Sequence, residues 1–274
     1  MPSSNQYSLS VVMMTFNEEA NIERCLKSVE GVGDEILVLD SFSTDRTVEI
    51  ARSMGARVEQ FPFDSYVNQK ARMIQMADSN WVLSIDADEY LSEELKASIL
   101  NARVDKKYDG YTSNRRNKIG SKWLNHGSWY PDKKIRLFDR RKVFITGKDP
   151  HDIMQPIADA RIGHLQGDLM HLSDEDISSR YRSVNQHSIR AAQALFEQKK
   201  AWSLWRMLFK PWIRFFTSYI IRLGFLDGYY GWIVAKSEGH YVWMREVKLW
   251  ELWRQGAGNR EERMKGARDK GSKG

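Results

Sequence analysis

Apolar residues in the first hundred positions come in short, β-branched runs separated by segments with helical spacing. Ser8–Met14 predicts a first strand, and Ile22, Leu26 and Val29 then recur at three- and four-residue steps, as one buried helix face requires. Asn17 is placed to cap that helix, with Glu18 and Glu19 in a first turn where the helix dipole favours negative charge. Glu35–Leu39 predicts a second strand. A helix through Val48, Ala51 and Arg52 follows, with Ser43 or Thr44 as its cap and Gly55 at its end. A third strand is expected near Arg57–Gln60, a helix near Ser65–Ala77 and a fourth strand at Trp81–Ile85. That last run is apolar almost throughout, as suits a central strand covered on both faces. The alternation predicts βαβ units on a parallel sheet, hence an α/β fold.

Beyond residue 105 the pattern turns mixed. Short strands at Lys134–Phe138, Val143–Ile145 and Asp168–Leu172 predict a less regular second half of the sheet, with polar loops long enough to carry a site. From Asp176 the pattern is helical: Trp202, Trp205, Phe209, Trp212, Phe216, Tyr219 and Leu223 form one stripe, and Arg206, Lys210 and Arg214 follow each other at i+4 on another face. Pro211 should start or kink a helix there. The Gly-rich, charged stretch from Gln255 predicts a disordered basic tail. Three regions result: an α/β domain over 1–175, an amphipathic helical region over 176–254 and the tail over 255–274.

Composition changes this picture little, but charge changes it more. At 274 residues, 42% hydrophobic and 28% charged, the chain is globular in composition and long enough for a sizeable core. A single cysteine, Cys25, excludes an internal disulfide and a cysteine-based zinc framework, so a reducing compartment is expected. Met1–Leu9 has neither a cationic start nor a long apolar run, so no cleaved signal peptide is expected. The net charge of +6 is unevenly held: residues 1–175 carry 23 Lys/Arg against 27 Asp/Glu, and residues 176–274 carry 19 against 9. Seven of the ten tryptophans fall between 202 and 253, so the basic third is also the aromatic third. No window between 202 and 235 is free of charge for long enough to span a bilayer. Aromatic residues beside a Lys/Arg face predict a helix lying on an anionic membrane surface rather than a nucleic-acid site; packing of the stripe, in whole or in part, on the catalytic domain is the alternative.

The sharpest chemical signal is Asp86-Ala87-Asp88-Glu89, directly after the buried strand Trp81–Ile85. Open α/β sheets bind ligands at the carboxyl ends of their strands. Carboxylates gathered there repel one another unless they share a cation, and hard oxygen donors favour Mg²⁺ or Mn²⁺. The same acids also suit a helix entry, with Ser92, Glu93 and Glu94 as cap and first turn. Thr15-Phe16-Asn17-Glu18 ends the first strand and Asp40–Asp45 the second, so three strand ends face one crevice. Neither G-x-G-x-x-G after the first strand nor a P-loop occurs, which argues against an ordinary dinucleotide or P-loop enzyme.

Taken in order, these segments resemble the family 2 glycosyltransferases of GT-A fold. Val11–Glu19 resembles the opening strand and N-E-E turn, Leu37–Thr47 the D-x-x-S-T-D-x-T segment, and Asp86–Asp88 the D-x-D. Further on, Trp123–Arg140, Pro150-His151-Asp152 and Lys210–Trp250 resemble the bacterial branch that builds the lipopolysaccharide inner core. Ser41 and Phe42 stand where many relatives have an acid and Gly, and Ala71 where Asn is frequent. The resemblance implies a Rossmann-like mixed sheet with a C-terminal helical, membrane-associating extension. It implies an inverting hexosyltransferase using a nucleotide sugar, UDP-linked, on a lipopolysaccharide-core or lipid-linked saccharide acceptor. Thr15, Asn17, Glu18 and Asp40 would line the uridine half of the donor, with Lys70 near the nucleotide and its phosphates. Asp86 would face ribose or metal, and Asp88 would hold the divalent ion. Asp152 would be the base that takes the acceptor proton, with His151 as its rival. Trp129, Tyr130, Asp132 and Arg136 are candidates for an acceptor pocket, since aromatic faces stack on sugar rings and Arg pairs with phosphate. His126 and His164 receive no role, and His171 only a possible approach to the metal. The implied location is cytoplasmic, peripheral on the inner face of the inner membrane. The same parts also allow a metal-dependent nucleotidyltransferase or a non-enzymatic membrane scaffold.

Overall fold

The computed structural model describes residues 7–105, 107–148 and 151–271, without the side chains of 148, 151, 152 and 256–271. The chain forms two compact units: residues 1–118 with 130–173, and residues 119–129 with 174–274. The division at 173/174 lies close to the expected 175/176, but the short segment 119–129 belongs with the helices.

In the first unit, β1 (Leu9–Thr15), α1 (Ile22–Val29), β2 (Glu35–Asp40), α2 (Thr47–Ser53), β3 (Arg57–Gln60), α3 (Tyr66–Met76) and β4 (Trp81–Asp86) follow in the alternation read from the sequence. They are succeeded by β5 (Glu89–Leu91), α4 (Glu93–Asp105) and β6 (Gly110–Ile119). The two-residue β7 (Lys122–Trp123) falls in the other unit, after which come β8 (Asp132–Asp139), β9 (Val143–Lys148), β10 (His151–Pro156) and β11 (Ile162–Asp174). The main sheet runs β3-β2-β1-β4-β8-β6-β11-β5, while β9 and β10 pair separately. Its first half is parallel; from β8 onward the pairings to β4, and of β6 to β8, are antiparallel. This is the mixed α/β sheet that the GT-A resemblance implies.

Period-two alternation along β1 divides the core. Leu9, Val11 and Met13 pack with Ile22, Leu26 and Val29 of α1 on one face, and Val12 packs with Leu37, Leu39, Met73, Ile74 and Phe138 on the other. Each such fully buried side chain contributes about 1.5–3 kcal/mol of transfer free energy. Helix starts differ from expectation in two places. Asn21, not Asn17, occupies the position before α1; Asn17 is left-handed (φ 54°) and accepts from the Thr44 N–H at 2.8 Å. Neither Ser43 nor Thr44 caps α2, which starts at Thr47, because the Ser43 hydroxyl is turned to Asp40. Ser65 does cap α3, accepting from the Asn68 N–H at 3.1 Å.

The second unit contains α5 (Ile177–Glu197), α6 (Leu204–Phe216) and α7 (Gly228–Gly271). Asp176 caps α5 in a reciprocal capping box with Ser179. Pro211 lies inside α6 rather than at its start. Opposite it on α7 is Gly239, where a Cβ would stand 2.8 Å from the Pro211 carbonyl oxygen, so only glycine permits this backbone approach. The expected row Arg206, Lys210, Arg214 is partly consumed internally: Arg206 Nε lies 3.3 Å from the buried Glu246 and Arg214 Nε 3.1 Å from Glu238. The backbone of α7 is helical to Gly271, through most of the stretch expected to be a disordered tail. No described helix is long and apolar enough to cross a membrane.

Candidate active site

Parallel register brings the ends of β1, β2 and β4 level: Thr15 stands opposite Asp40, and Met14 opposite Asp86. The Thr15 hydroxyl is buried there with no hydrogen-bond partner among the described residues. The loops after β1 and β2 are laced together. The Asn17 N–H donates to Ser43 Oγ (2.8 Å), the Glu18 N–H to Thr47 Oγ1 (2.8 Å) and the Glu19 N–H to Asp45 Oδ2 (3.1 Å). Asp40 anchors this lacing. It is fully buried, and its carboxylate accepts from the Ser43 hydroxyl, from the Ser43 N–H (2.9 Å) and from Gln60 Nε2 (2.9 Å). Asp40 thus holds the loop after β2 through Ser43. Glu18 accepts from Asn21 Nδ2 at 2.8 Å. Burial raises its carboxyl above the usual range, the Asn21 bond offsets part of this, and the negative charges of Asp88, Asp45 and Asp86 push it further up.

At the end of β4 the two aspartates have different surroundings. Asp86 Oδ1 lies 3.5 Å from Lys70 Nζ, and Oδ2 accepts from Arg136 Nη2 at 3.2 Å. Burial would raise this carboxyl, but Lys70 and then Arg136 outweigh it and hold Asp86 well below the usual carboxylate range. Glu89 completes the clamp: one oxygen accepts the Asp86 N–H (3.0 Å), the other accepts Arg136 Nη2 (2.6 Å), and Arg115 Nη1 lies 3.7 Å away. Burial leaves the Glu89 carboxyl raised even with Arg136 beside it. Asp88 is more open. Its Oδ2 faces His171 Nε2 across 3.2 Å, and His171 Nδ1 donates to Asn117 Oδ1 at 2.6 Å. A protonated ring donates to Asp88 across that gap. A neutral ring leaves an imidazole lone pair and a carboxylate converging, a donor set suited to a divalent cation. Burial lowers the His171 pKa, but the Asp88 bond and charge outweigh it, and the net shift is upward.

Among the described residues no three His, Cys, Asp or Glu side chains converge as a complete metal cage. Mg²⁺-type sites commonly use one or two protein carboxylates with substrate phosphate and water. The donor set at Asp88 and His171 fits such a cation, whereas Asp86 is already held by two side-chain cations.

Lys70 and Asp86, expected at the donor, are thus in contact. Arg136, expected in an acceptor pocket, is 6% exposed and paired with Asp86 and Glu89, because β8 lies beside β4. Asp132 is paired with Arg115 at 2.8 Å, and the Tyr130 hydroxyl donates to Asp168 at 3.0 Å. Trp129 falls in the second unit, under the Arg180 guanidinium at 4.3 Å, so the four acceptor candidates do not form one cluster within a unit. The side chains of His151 and Asp152 lie outside the described residues. Glu89, Arg115 and Asn117 were not singled out as site residues; Glu89 alone carried a signal, as the last acid of the Asp86–Glu89 run.

The fold is a mixed α/β sheet whose parallel strands β1, β2 and β4 end level, with the carboxylates of Asp40 and Asp86 and the Lys70 cation at those ends. Residues 10–158 match the model for glycosyl transferase family 2, and the chain belongs to that family. An uncharacterized glycosyltransferase of Rickettsia typhi is 31% identical over 257 residues, covering 89% of this chain and 87% of that protein. The lipopolysaccharide core biosynthesis glycosyltransferase LpsC of Rhizobium meliloti is 25% identical, covering 89% and 92%. Among solved structures, glucosyl-3-phosphoglycerate synthase from Mycobacterium tuberculosis matches with 27% identity over 40% of this chain and 44% of that one, at a TM-score of 0.36.

Proposed function

We propose that the protein is an inverting hexosyltransferase that takes its sugar from a UDP-linked donor and delivers it to a lipopolysaccharide-core or lipid-linked saccharide. The observation that carries this reading is the unequal pair at the end of β4: Asp86 neutralised by Lys70 and Arg136, and Asp88 open beside His171. Asp88 and His171 would hold Mg²⁺ or Mn²⁺. When bound, such a cation neutralises charge developing on a departing diphosphate. Thr15, with its unpartnered buried hydroxyl, offers the donor a hydrogen bond, and Asn17 and Glu18 form the loop beside it. Asp86, held anionic by Lys70 and Arg136, would face the ribose of the donor, with Lys70 near the phosphates. Inversion needs one base opposite the leaving group, and Asp152 is assigned that role, with His151 as the rival. The core-biosynthesis relative supports the acceptor class.

The second unit supports work at a membrane surface. Along α6, Trp205, Phe209, Trp212, Ile213 and Phe216 are each more than half exposed, and no α6 residue is buried. Every acidic residue between 201 and 250, namely Asp227, Glu238 and Glu246, is buried, so the exposed charge of that stretch is positive. An apolar face with only cations at its edge fits an anionic bilayer on which the enzyme is peripheral.

UDP release from a panel of UDP-sugars, with and without chelator, tests the reaction. Release that depends on the metal and is abolished by Asp88→Ala supports it. Pyrophosphate release from a nucleoside triphosphate and a sugar phosphate would instead make the protein a nucleotidyltransferase, and absence of donor binding would make it a scaffold. Flotation with anionic but not neutral vesicles tests the membrane reading separately.

A further inference from the structure

Between α6 and α7 of the second unit lies an apolar groove of about 440 Å³ that the proposed reaction does not use. Met207, Leu208, Trp212 and Phe215 line it from α6, and Trp232 and Trp243 from α7. The close backbone approach of Gly239 to Pro211 lies within the groove, and the large side chains around that point form its walls. Pro211 has no N–H to give the Met207 carbonyl, so the α6 ladder is interrupted beside the same groove.

Three observations restrict what fills it. First, its α6 wall continues into the exposed stripe: Leu208 is 49% and Trp212 57% exposed, and Trp205 and Phe209 extend the same surface. An exposed apolar surface of this kind marks an interaction site. Second, the exposed charge around it is of one sign: Lys210, Arg222 and Lys236 are exposed, while the acids of the same stretch are buried. A second copy of this chain would bring the same cations against these. Third, the groove has one cation on its own wall, Lys236, whose Nζ stands 5.4 Å from the centre of the Trp212 ring. His240, also on the wall, is held below its usual pKa by burial and then by Lys236 and Lys248, so it is neutral at pH 7. The occupant is therefore apolar along its length and anionic at one point. The groove volume falls in the range for a single small ligand and is too small for the several chains of a lipopolysaccharide anchor.

We propose that this groove is a lipid site, taking one acyl chain of an anionic membrane phospholipid whose phosphate pairs with Lys236. The site rests on the membrane reading above and deepens it: the helix pair holds a lipid stoichiometrically and does not only lie on the surface. Binding would place the aromatic stripe at the depth of the headgroups, where such rings are favoured.

The full chain is incubated with vesicles of phosphatidylglycerol and phosphatidylcholine, extracted into mild detergent and weighed by native mass spectrometry. One phosphatidylglycerol per protein is expected to survive extraction, with no phosphatidylcholine adduct. Lys236→Glu should lower adduct occupancy at least tenfold, and Met207→Trp, which fills the groove, should do the same. Both variants should still float with phosphatidylglycerol vesicles and melt like the parent, because Lys210, Arg222 and the exposed stripe remain. Flotation of the parent without an adduct overturns the lipid site and leaves the membrane reading standing. Neither flotation nor adduct overturns both. An adduct that persists in both variants places the lipid elsewhere and overturns the site. In a parallel arm, displacement of phosphatidylglycerol by purified rough lipopolysaccharide at equal concentration would make the groove an acceptor site and overturn the phospholipid assignment.

Discussion

Arg136→Met removes a guanidinium while keeping a long, unbranched side chain, and so tests the clamp at the end of β4. The Arg136 side chain is 8% exposed and that of Glu89 fully buried, with 2.6 Å between their charged atoms. Removing one partner of a buried ion pair costs about 3–5 kcal/mol, because the other charge is left uncompensated. Glu89 keeps the Asp86 N–H and the more distant Arg115, and Asp86 keeps Lys70, which places the expected loss near the lower end, about 3 kcal/mol. The carboxyl of Glu89 already sits above its usual range and rises further without Arg136. An acid with a raised folded-state pKa destabilises the fold while it is ionised. The penalty is therefore largest at neutral pH and shrinks as pH falls toward the unfolded carboxyl value of about 4.3. Urea unfolding at pH 8 and pH 5.5, followed by circular dichroism, gives both quantities. Arg136→Met with Glu89→Gln should recover part of the loss, since the orphaned charge is gone. A loss under about 1 kcal/mol at pH 8, or a loss that grows as pH falls, would refute the reasoning.

Other expectations follow from single features. Gly167→Ala should destabilise by about 1–3 kcal/mol in the same unfolding assay, because φ is 88° and a Cβ would stand 2.3 Å from the Leu95 amide nitrogen. Asp176→Ala removes one half of the α5 capping box and should cost about 1 kcal/mol, read as a lower urea midpoint. Glu35 pays a burial penalty, but its bonds to the Ser10 hydroxyl, the Asp78 N–H and Arg57 outweigh it and hold its carboxyl below the usual range. Its stabilisation is present above the unfolded value of about 4.3 and is lost as pH falls through the lower folded value, so Glu35→Gln should flatten the acid limb of a melting-temperature profile between roughly pH 5 and pH 3.

β1, β2 and β4 were legible because each is a short, largely apolar run, and the short β3 because it follows Gly55 at the end of a helical pattern. Trp81–Ile85 could be placed as a central strand from composition alone, and it extends to Asp86. Features that depend on distant partners were not legible. Asn17 is a plausible cap by local rules, yet its side chain accepts from Thr44, 27 residues on. Arg206 and Arg214 form a surface row by spacing alone, but Glu246 and Glu238 draw them inward from α7 across 40 and 24 residues. Arg136 lies in a run expected to be a short strand, Lys134–Phe138, but the sequence does not say which strand lies beside it. Only the β4–β8 pairing turns it toward Asp86. Trp129 and Tyr130 are neighbours in sequence that the fold assigns to different units.

The strand order also sets a timetable for the ribosome. β1 to β4 and their helices occupy the first 86 residues and can begin to form a parallel core as they emerge. Arg136 arrives 47 residues after Glu89, and His171 arrives 83 residues after Asp88. At a synthesis rate of about 5–20 residues per second, the nascent sheet has Lys70 beside Asp86 for several seconds before Arg136 and His171 are made. A truncated chain ending before β11 would have β1 to β4 and Asp88 but not the His171 that faces it.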